Sequence, residues 1–75
     1  MVVEDSLVIR GLINRVLESD HSIKVISSVG DGEAAIKAMK LHPVDVVVLD
    51  IEMPIMDGLT ATPHLLEIDP HVNII

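Results

Sequence analysis

The run Val46-Val47-Val48-Leu49 is apolar at every position and stops at Asp50. Alternating polarity would mark a strand with one wet face, whereas an unbroken β-prone apolar run marks a strand covered on both. This constrains the chain to a parallel sheet with helices packed on its faces. The same signature opens the chain, where Met1-Val2-Val3 stops at Glu4-Asp5. A buried strand that ends at a carboxylate delivers it to the edge of the sheet. Two such ends side by side gather three carboxylates. At about 5 Å and an effective dielectric of ~20, each like pair costs about 3 kcal/mol. A fold carries that cost by binding a cation or by raising a carboxylate pKa.

Between these runs the periodicity switches from strand to helix and back. Ser6 is placed to cap a first helix. Its Ile9, Leu12, Ile13, Val16 and Leu17 recur at helical spacing as one apolar stripe, and Gly11 weakens it locally. Ser19-Asp20-His21-Ser22 closes it as a polar turn. Residues 23–29 read as a second strand, with Val25 and Ile26 inside. Asp31, between Gly30 and Gly32, caps a second helix expected over 33–41, burying Ala35, Ile36 and Met39. His42-Pro43 stops that helix, because a residue before proline avoids the helical region. Residues 44–50 form the central strand and 53–58 a loop, in which Gly58 permits the backbone turn. A third helix is expected over 59–68, with Leu59, Leu65, Leu66 and Ile68 apolar. Pro63 should kink it or delay its start. Asp69-Pro70 ends it, and 72–75 begin a fourth strand. The order βαβαβαβ gives a doubly wound parallel sheet with right-handed crossovers. With strands in the order 2-1-3-4, the switch point where such sheets bind ligands lies between strands 1 and 3. Those are the strands that end in Glu4-Asp5 and Asp50.

Composition narrows the function. Seventy-five residues allow one small domain. An apolar content of 49% sets disorder aside. The absence of Phe, Tyr and Trp leaves an aliphatic core and removes base stacking as a way to hold single strands. Twelve acids against five bases, a net charge of −7, argue against a nucleic-acid surface and against anionic membrane. No cysteine means no disulfide and no thiolate metal site, in keeping with a cytoplasmic setting. No apolar stretch approaches the ~18 residues of a membrane span, and no signal peptide is visible. His21, His42, His64 and His71 form no i, i+4 pair, so they do not read as a metal site. Gly30-Asp31-Gly32 is too short for a phosphate-binding fingerprint. Asp57 reads as a helix-start acid.

Three segments carry a resemblance: Val2-Val3-Glu4-Asp5-Ser6, Val46-Val47-Val48-Leu49-Asp50 and Met53-Pro54-Ile55-Met56-Asp57-Gly58. In this order and spacing the chain resembles a response-regulator receiver domain of two-component signalling. The finer pattern, including Asp5-Ser6-Leu7-Val8-Ile9-Arg10-Gly11-Leu12-Ile13 and the awkward Pro63, is most similar to the N-terminal receivers of chemotaxis protein-glutamate methylesterases. The resemblance implies a flavodoxin-like α/β fold, here incomplete and truncated before strand 5, with residues 1–75 as a partial receiver. It implies that Asp50 is the phosphoacceptor, taking a phosphoryl group from a chemotaxis-type sensor histidine kinase. It implies Mg²⁺ held by Glu4, Asp5, Asp50 and the backbone carbonyl of Glu52, directly or through water. The physics agrees: Mg²⁺ keeps waters and pairs with one or two carboxylates plus a phosphoryl oxygen, and its charge lets an anionic nucleophile approach an anionic phosphoryl group.

The chain departs from the family in two ways. Glu4 stands where the family more often has Asp. The Ser or Thr expected at the end of strand 4 and the Lys at the end of strand 5 fall beyond Ile75, and Lys24, Lys37 and Lys40 sit on the wrong elements to replace that Lys. Strand 1 is short by several residues, so Met1 reads as an internal methionine of a longer protein. Two alternatives stay open. A haloacid-dehalogenase-type phosphatase also uses an Asp after a strand with Mg²⁺, although Glu52 then occupies the general-acid position and Pro54 the next one. An inert half-domain would instead self-associate through the apolar edge of strand 4, at Val72, Ile74 and Ile75.

Overall fold

The computed structural model describes residues 1–75. The elements are β1 (Val2–Val3), α1 (Leu7–Glu18), β2 (Ser28–Val29), α2 (Gly32–Leu41), β3 (Val46–Leu49), α3 (Gly58–Ile68) and β4 (Asn73–Ile74). All strand pairs are parallel and the sheet order is β2-β1-β3-β4, the topology the sequence predicts. The step from β1 to β2 runs one way along the sheet, and the two later steps run the other way. Right-handed crossovers therefore put α1 on one face and α2 with α3 on the opposite face.

The α2/α3 face holds the core. Ala35 and Met39 of α2, and Ala61 and Leu65 of α3, are spaced by four residues and so line one stripe of each helix. All four are fully buried, with Val3 and Val47. Val44 and Val72 close the same cluster. Gly32 allows α2 to begin against the loop before α3: a Cβ there would lie 2.7 Å from the Met56 carbonyl oxygen and 2.9 Å from the Ala61 Cβ. Each helix start is capped by a side-chain oxygen. Ser6 Oγ accepts from the Ile9 N–H at 3.3 Å, Asp31 Oδ1 from Ala34 at 2.8 Å and Asp57 Oδ1 from Thr60 at 2.7 Å.

Four expectations are corrected. The α1 stripe is not buried: no residue of α1 is, and Ile9, Leu12 and Val16 are exposed. As the lone helix on its face, α1 has no neighbouring helix against its flank. The second strand is not 23–29 but Ser28–Val29, because a two-residue β1 offers only two rungs for pairing. Upstream, Ser27 lends just its carbonyl to the Val2 N–H, and the Val25 N–H turns to the Glu18 carboxylate at 3.2 Å. Ile26 is consequently exposed. The central and fourth strands are trimmed in the same way, to Val46–Leu49 and Asn73–Ile74. Finally, of the two effects expected of Pro63, the delay does not occur: α3 starts at Gly58 and runs through it. Pro63 and Leu59, whose carbonyl loses its partner, are both exposed, so water can take that carbonyl. No helix is long and apolar enough to cross a membrane.

Candidate functional site

Register places the acids. Val2 pairs with Val48 and Val3 with Leu49, so Glu4 and Asp50 leave the sheet side by side. The Asp50 N–H donates to the Val3 carbonyl at 3.0 Å, and the Glu4 N–H to that of Val29 at 3.0 Å. The carboxylates of Glu4, Asp5 and Asp50 converge, each offering an oxygen within 4.8 Å of the others. Glu4 and Asp50 are half-buried and Asp5 is exposed. The three acids singled out in the sequence are thus brought together at the switch point between β1 and β3. The Glu52 side chain is not among them, and its backbone carbonyl receives no hydrogen bond from the chain.

The electrostatics follow from this crowding. The Ser6 N–H, 3.1 Å from Glu4 Oε1, pulls the Glu4 pKa down. Partial desolvation and the neighbouring carboxylates of Asp50 and Asp5 pull it up and prevail, so Glu4 holds its proton above the usual carboxylate range. No basic side chain neutralises the cluster. Arg10 Nη1 reaches the Glu4 carbonyl oxygen, at 3.4 Å, rather than its carboxylate. The ion pair in the structure, Lys37 with Glu33 at 3.4 Å, lies on exposed α2. An all-oxygen, uncompensated donor set of this kind fits a hard divalent cation such as Mg²⁺ and not a soft metal.

Asp50 is oriented by its neighbour: the Ile51 N–H donates to Asp50 Oδ1 at 2.8 Å, and no N–H of the chain donates to Oδ2. Gly58, expected to permit the backbone turn, is required here by space, and no glycine has a positive φ. A Cβ on Gly58 would collide with the Asp50 carbonyl oxygen, so only glycine lets α3 start against the phosphoacceptor candidate. The Gly58 N–H closes the loop by donating to the Ile51 carbonyl at 2.8 Å.

Sequence reasoning missed the residue that does take the left-handed conformation. Ile55 has φ 67° and sits at the centre of a three-residue turn in which the Met56 N–H donates to the Pro54 carbonyl at 2.7 Å. A positive-φ turn of this size is rare and strained, and a β-branched residue there costs about 1–3 kcal/mol. The Met56 carbonyl in turn accepts from the Gly32 N–H at 2.9 Å, tying the turn to the start of α2. The available signal was the proline before Ile55, which favours a turn but does not reveal its type.

The response regulator receiver domain family model matches residues 1–75. The chain belongs to that family, and its fold is the flavodoxin-like fold of receivers. Within the family it is most like the N-terminal receivers of chemotaxis methylesterases. It is 61% identical over 75 residues to the protein-glutamate methylesterase/protein-glutamine glutaminase of group 2 operon of Rhodospirillum centenum, covering all of this chain and 19% of that protein. It is 60% identical to the corresponding protein of Azospirillum brasilense, again over 100% of this chain and 19% of the relative. The chain therefore spans about a fifth of the length of these curated relatives. Among solved structures, the response regulator domain of Thermotoga maritima CheB matches with a TM-score of 0.88 and 30% identity, over 92% of this chain and 52% of that one. A chain of the CheX–CheY–BeF3–Mg²⁺ complex from Borrelia burgdorferi matches with a TM-score of 0.90 and 32% identity, over 97% and 55%.

Proposed function

We propose that these residues accept a phosphoryl group on Asp50 from a chemotaxis-type sensor histidine kinase, as the N-terminal part of a methylesterase-type response regulator. The observation that carries this reading is the convergence of Glu4, Asp5 and Asp50 within 4.8 Å at the sheet's switch point. The Ile51 N–H holds Asp50 Oδ1 and leaves Oδ2 as the attacking oxygen. A bond forms from Oδ2 to phosphorus as the phosphorus–nitrogen bond of the donor's phosphohistidine breaks. The imidazole departs and takes up a proton from water, and Asp50 becomes an acyl phosphate. Glu4, Asp5 and the Glu52 carbonyl would hold Mg²⁺ with Asp50. When bound, Mg²⁺ offsets the negative charge that would keep two anions apart. Against the phosphatase alternative stands the match of residues 1–75 to the response regulator receiver domain family.

The test is intact mass after incubation with acetyl phosphate and Mg²⁺, beside Asp50→Asn. One hydroxylamine-labile phosphoryl group per chain, absent from the variant and without Mg²⁺, is expected. No adduct on a chain shown to be folded, or an undiminished adduct on the variant, would overturn the assignment. A second reading concerns assembly. β4 pairs with β3 on one side only, an edge open to pairing with another copy, but of the three apolar residues expected there only Ile75 is exposed, since Val72 is buried in the core and Ile74 is half-buried against it. Sedimentation that shows a monodisperse monomer at micromolar concentration would remove it.

A further inference from the structure

The ladder between β1 and β2 runs one step past both strands. Val2 faces Ser28 and Val3 faces Val29, so Glu4 faces Gly30. The Val2 N–H donates to the Ser27 carbonyl, and the Glu4 N–H to the Val29 carbonyl. By the same pattern the Glu4 carbonyl should accept from the Asp31 N–H. It does not, because Asp31 already caps α2 and the chain has left the sheet. No backbone N–H donates to that carbonyl. Arg10 supplies the donor instead: its Nη1 reaches the Glu4 carbonyl oxygen at 3.4 Å. Gly30 makes the room, since a Cβ there would stand 3.1 Å from the same nitrogen. The guanidinium thus lies across the step where β2 gives way to α2. Among the basic residues, Arg10 alone is half-buried, whereas Arg15, Lys24, Lys37 and Lys40 are exposed. A half-buried cation close to three carboxylates should pair with one of them, yet Arg10 forms no ion pair. As a charge it would oppose a bound divalent cation. Its placement therefore serves geometry. Glu4 stands beyond the last rung of β1, and its backbone is held by Val29 at the N–H and by Arg10 at the carbonyl.

We infer that Arg10 is a positioning residue for the proposed cation site: its bond to the Glu4 carbonyl, made over Gly30, holds Glu4 where its carboxylate meets those of Asp5 and Asp50. This rests on the three acids binding Mg²⁺, and the experiment separates the two. Mg²⁺ binding is measured by calorimetry on the full-length polypeptide. The parent is compared with Arg10→Met, Gly30→Ala, the two combined, Arg15→Met and Asp50→Asn. Arg10→Met keeps the aliphatic stem and removes both the donor and the charge. Loss of the charge alone would tighten Mg²⁺ binding. The expected result is the opposite, binding about fivefold weaker, the scale of one hydrogen bond. Gly30→Ala keeps every charge but crowds the guanidinium off a bond that is already long. It should weaken binding in the parent and add nothing in Arg10→Met, because both changes break the same contact. Arg15→Met, an exposed charge further along α1, should not weaken it. Saturating Mg²⁺ should bring acetyl phosphate labelling of Arg10→Met back to the parental rate, which a chain with a damaged fold would not do. Unchanged or tighter binding in either single variant would overturn the inference. So would losses that simply add, or labelling that saturating Mg²⁺ does not restore. If Mg²⁺ does not bind the parent, or binds Asp50→Asn equally well, the cation-site reading falls, and this inference with it.

Discussion

The two faces of the sheet are built from similar amphipathic helices yet reach opposite ends. Under α2 and α3, Met39, Val47 and Leu65 are fully buried. Under α1, the stripe that reads so clearly in the sequence stays open, with Val16 still 69% exposed. The helices differ less in pattern than in company. α2 and α3 pack against each other as well as on the sheet, whereas α1 meets chiefly β1. Periodicity tells which residues face inward and leaves open whether anything lies there to cover them. The site draws on both sides: Asp5 and Ser6 lead into α1, and Asp50 leads to α3.

The contrast makes graded predictions. Leu65→Ala should have the largest effect, a loss of about 2–5 kcal/mol in urea unfolding, enough to unfold a small domain. Val16→Ala on the open face should stay within about 0.5 kcal/mol, and equal losses at the two positions would erase the distinction. Gly58→Ala should follow, at about 1–3 kcal/mol, because α3 must move off the Asp50 carbonyl. Its amide shifts should spread to Asp50. Next come the caps. Asp31→Ala at α2 should cost about 1 kcal/mol, and Ser6→Ala, whose bond is longer and exposed, about half that.

The smallest effect is in the acid limb of the pH–stability curve. The Thr60 N–H and hydroxyl hold the Asp57 carboxyl below the usual carboxylate range. The folded state thus binds this proton less readily than the unfolded chain. The stabilisation is whole above the ordinary carboxylate range and is lost as pH falls through the lowered value. Asp57→Asn should flatten that limb. Glu4 acts in the opposite sense. Its raised pKa favours the folded state at low pH, and that contribution is lost as pH rises through the raised value.

Topology, the caps at Ser6 and Asp31, and the meeting of Glu4, Asp5 and Asp50 were all legible, because each rests on local pattern plus one chirality rule. The short strands were not. The extent of β2 depends on how many rungs β1 offers, a property of the partner and not of residues 23–29. The role of Gly58 was legible only as a glycine. That it serves the close approach of α3 to Asp50 depends on where α3 meets β3. The strain at Ile55 was invisible for a related reason, since nothing in Pro54-Ile55-Met56 shows that Met56 must turn back to the Gly32 N–H.

The central claim is that three strand-end carboxylates act as one cation site, and the titration of Glu4 tests it most directly. The account predicts that the Glu4 carboxyl, followed by carbon NMR, titrates above its ordinary range without metal, falls when Mg²⁺ is added, and falls toward ordinary in Asp50→Asn. An ordinary Glu4 pKa, unmoved by Mg²⁺ and by that substitution, would contradict it.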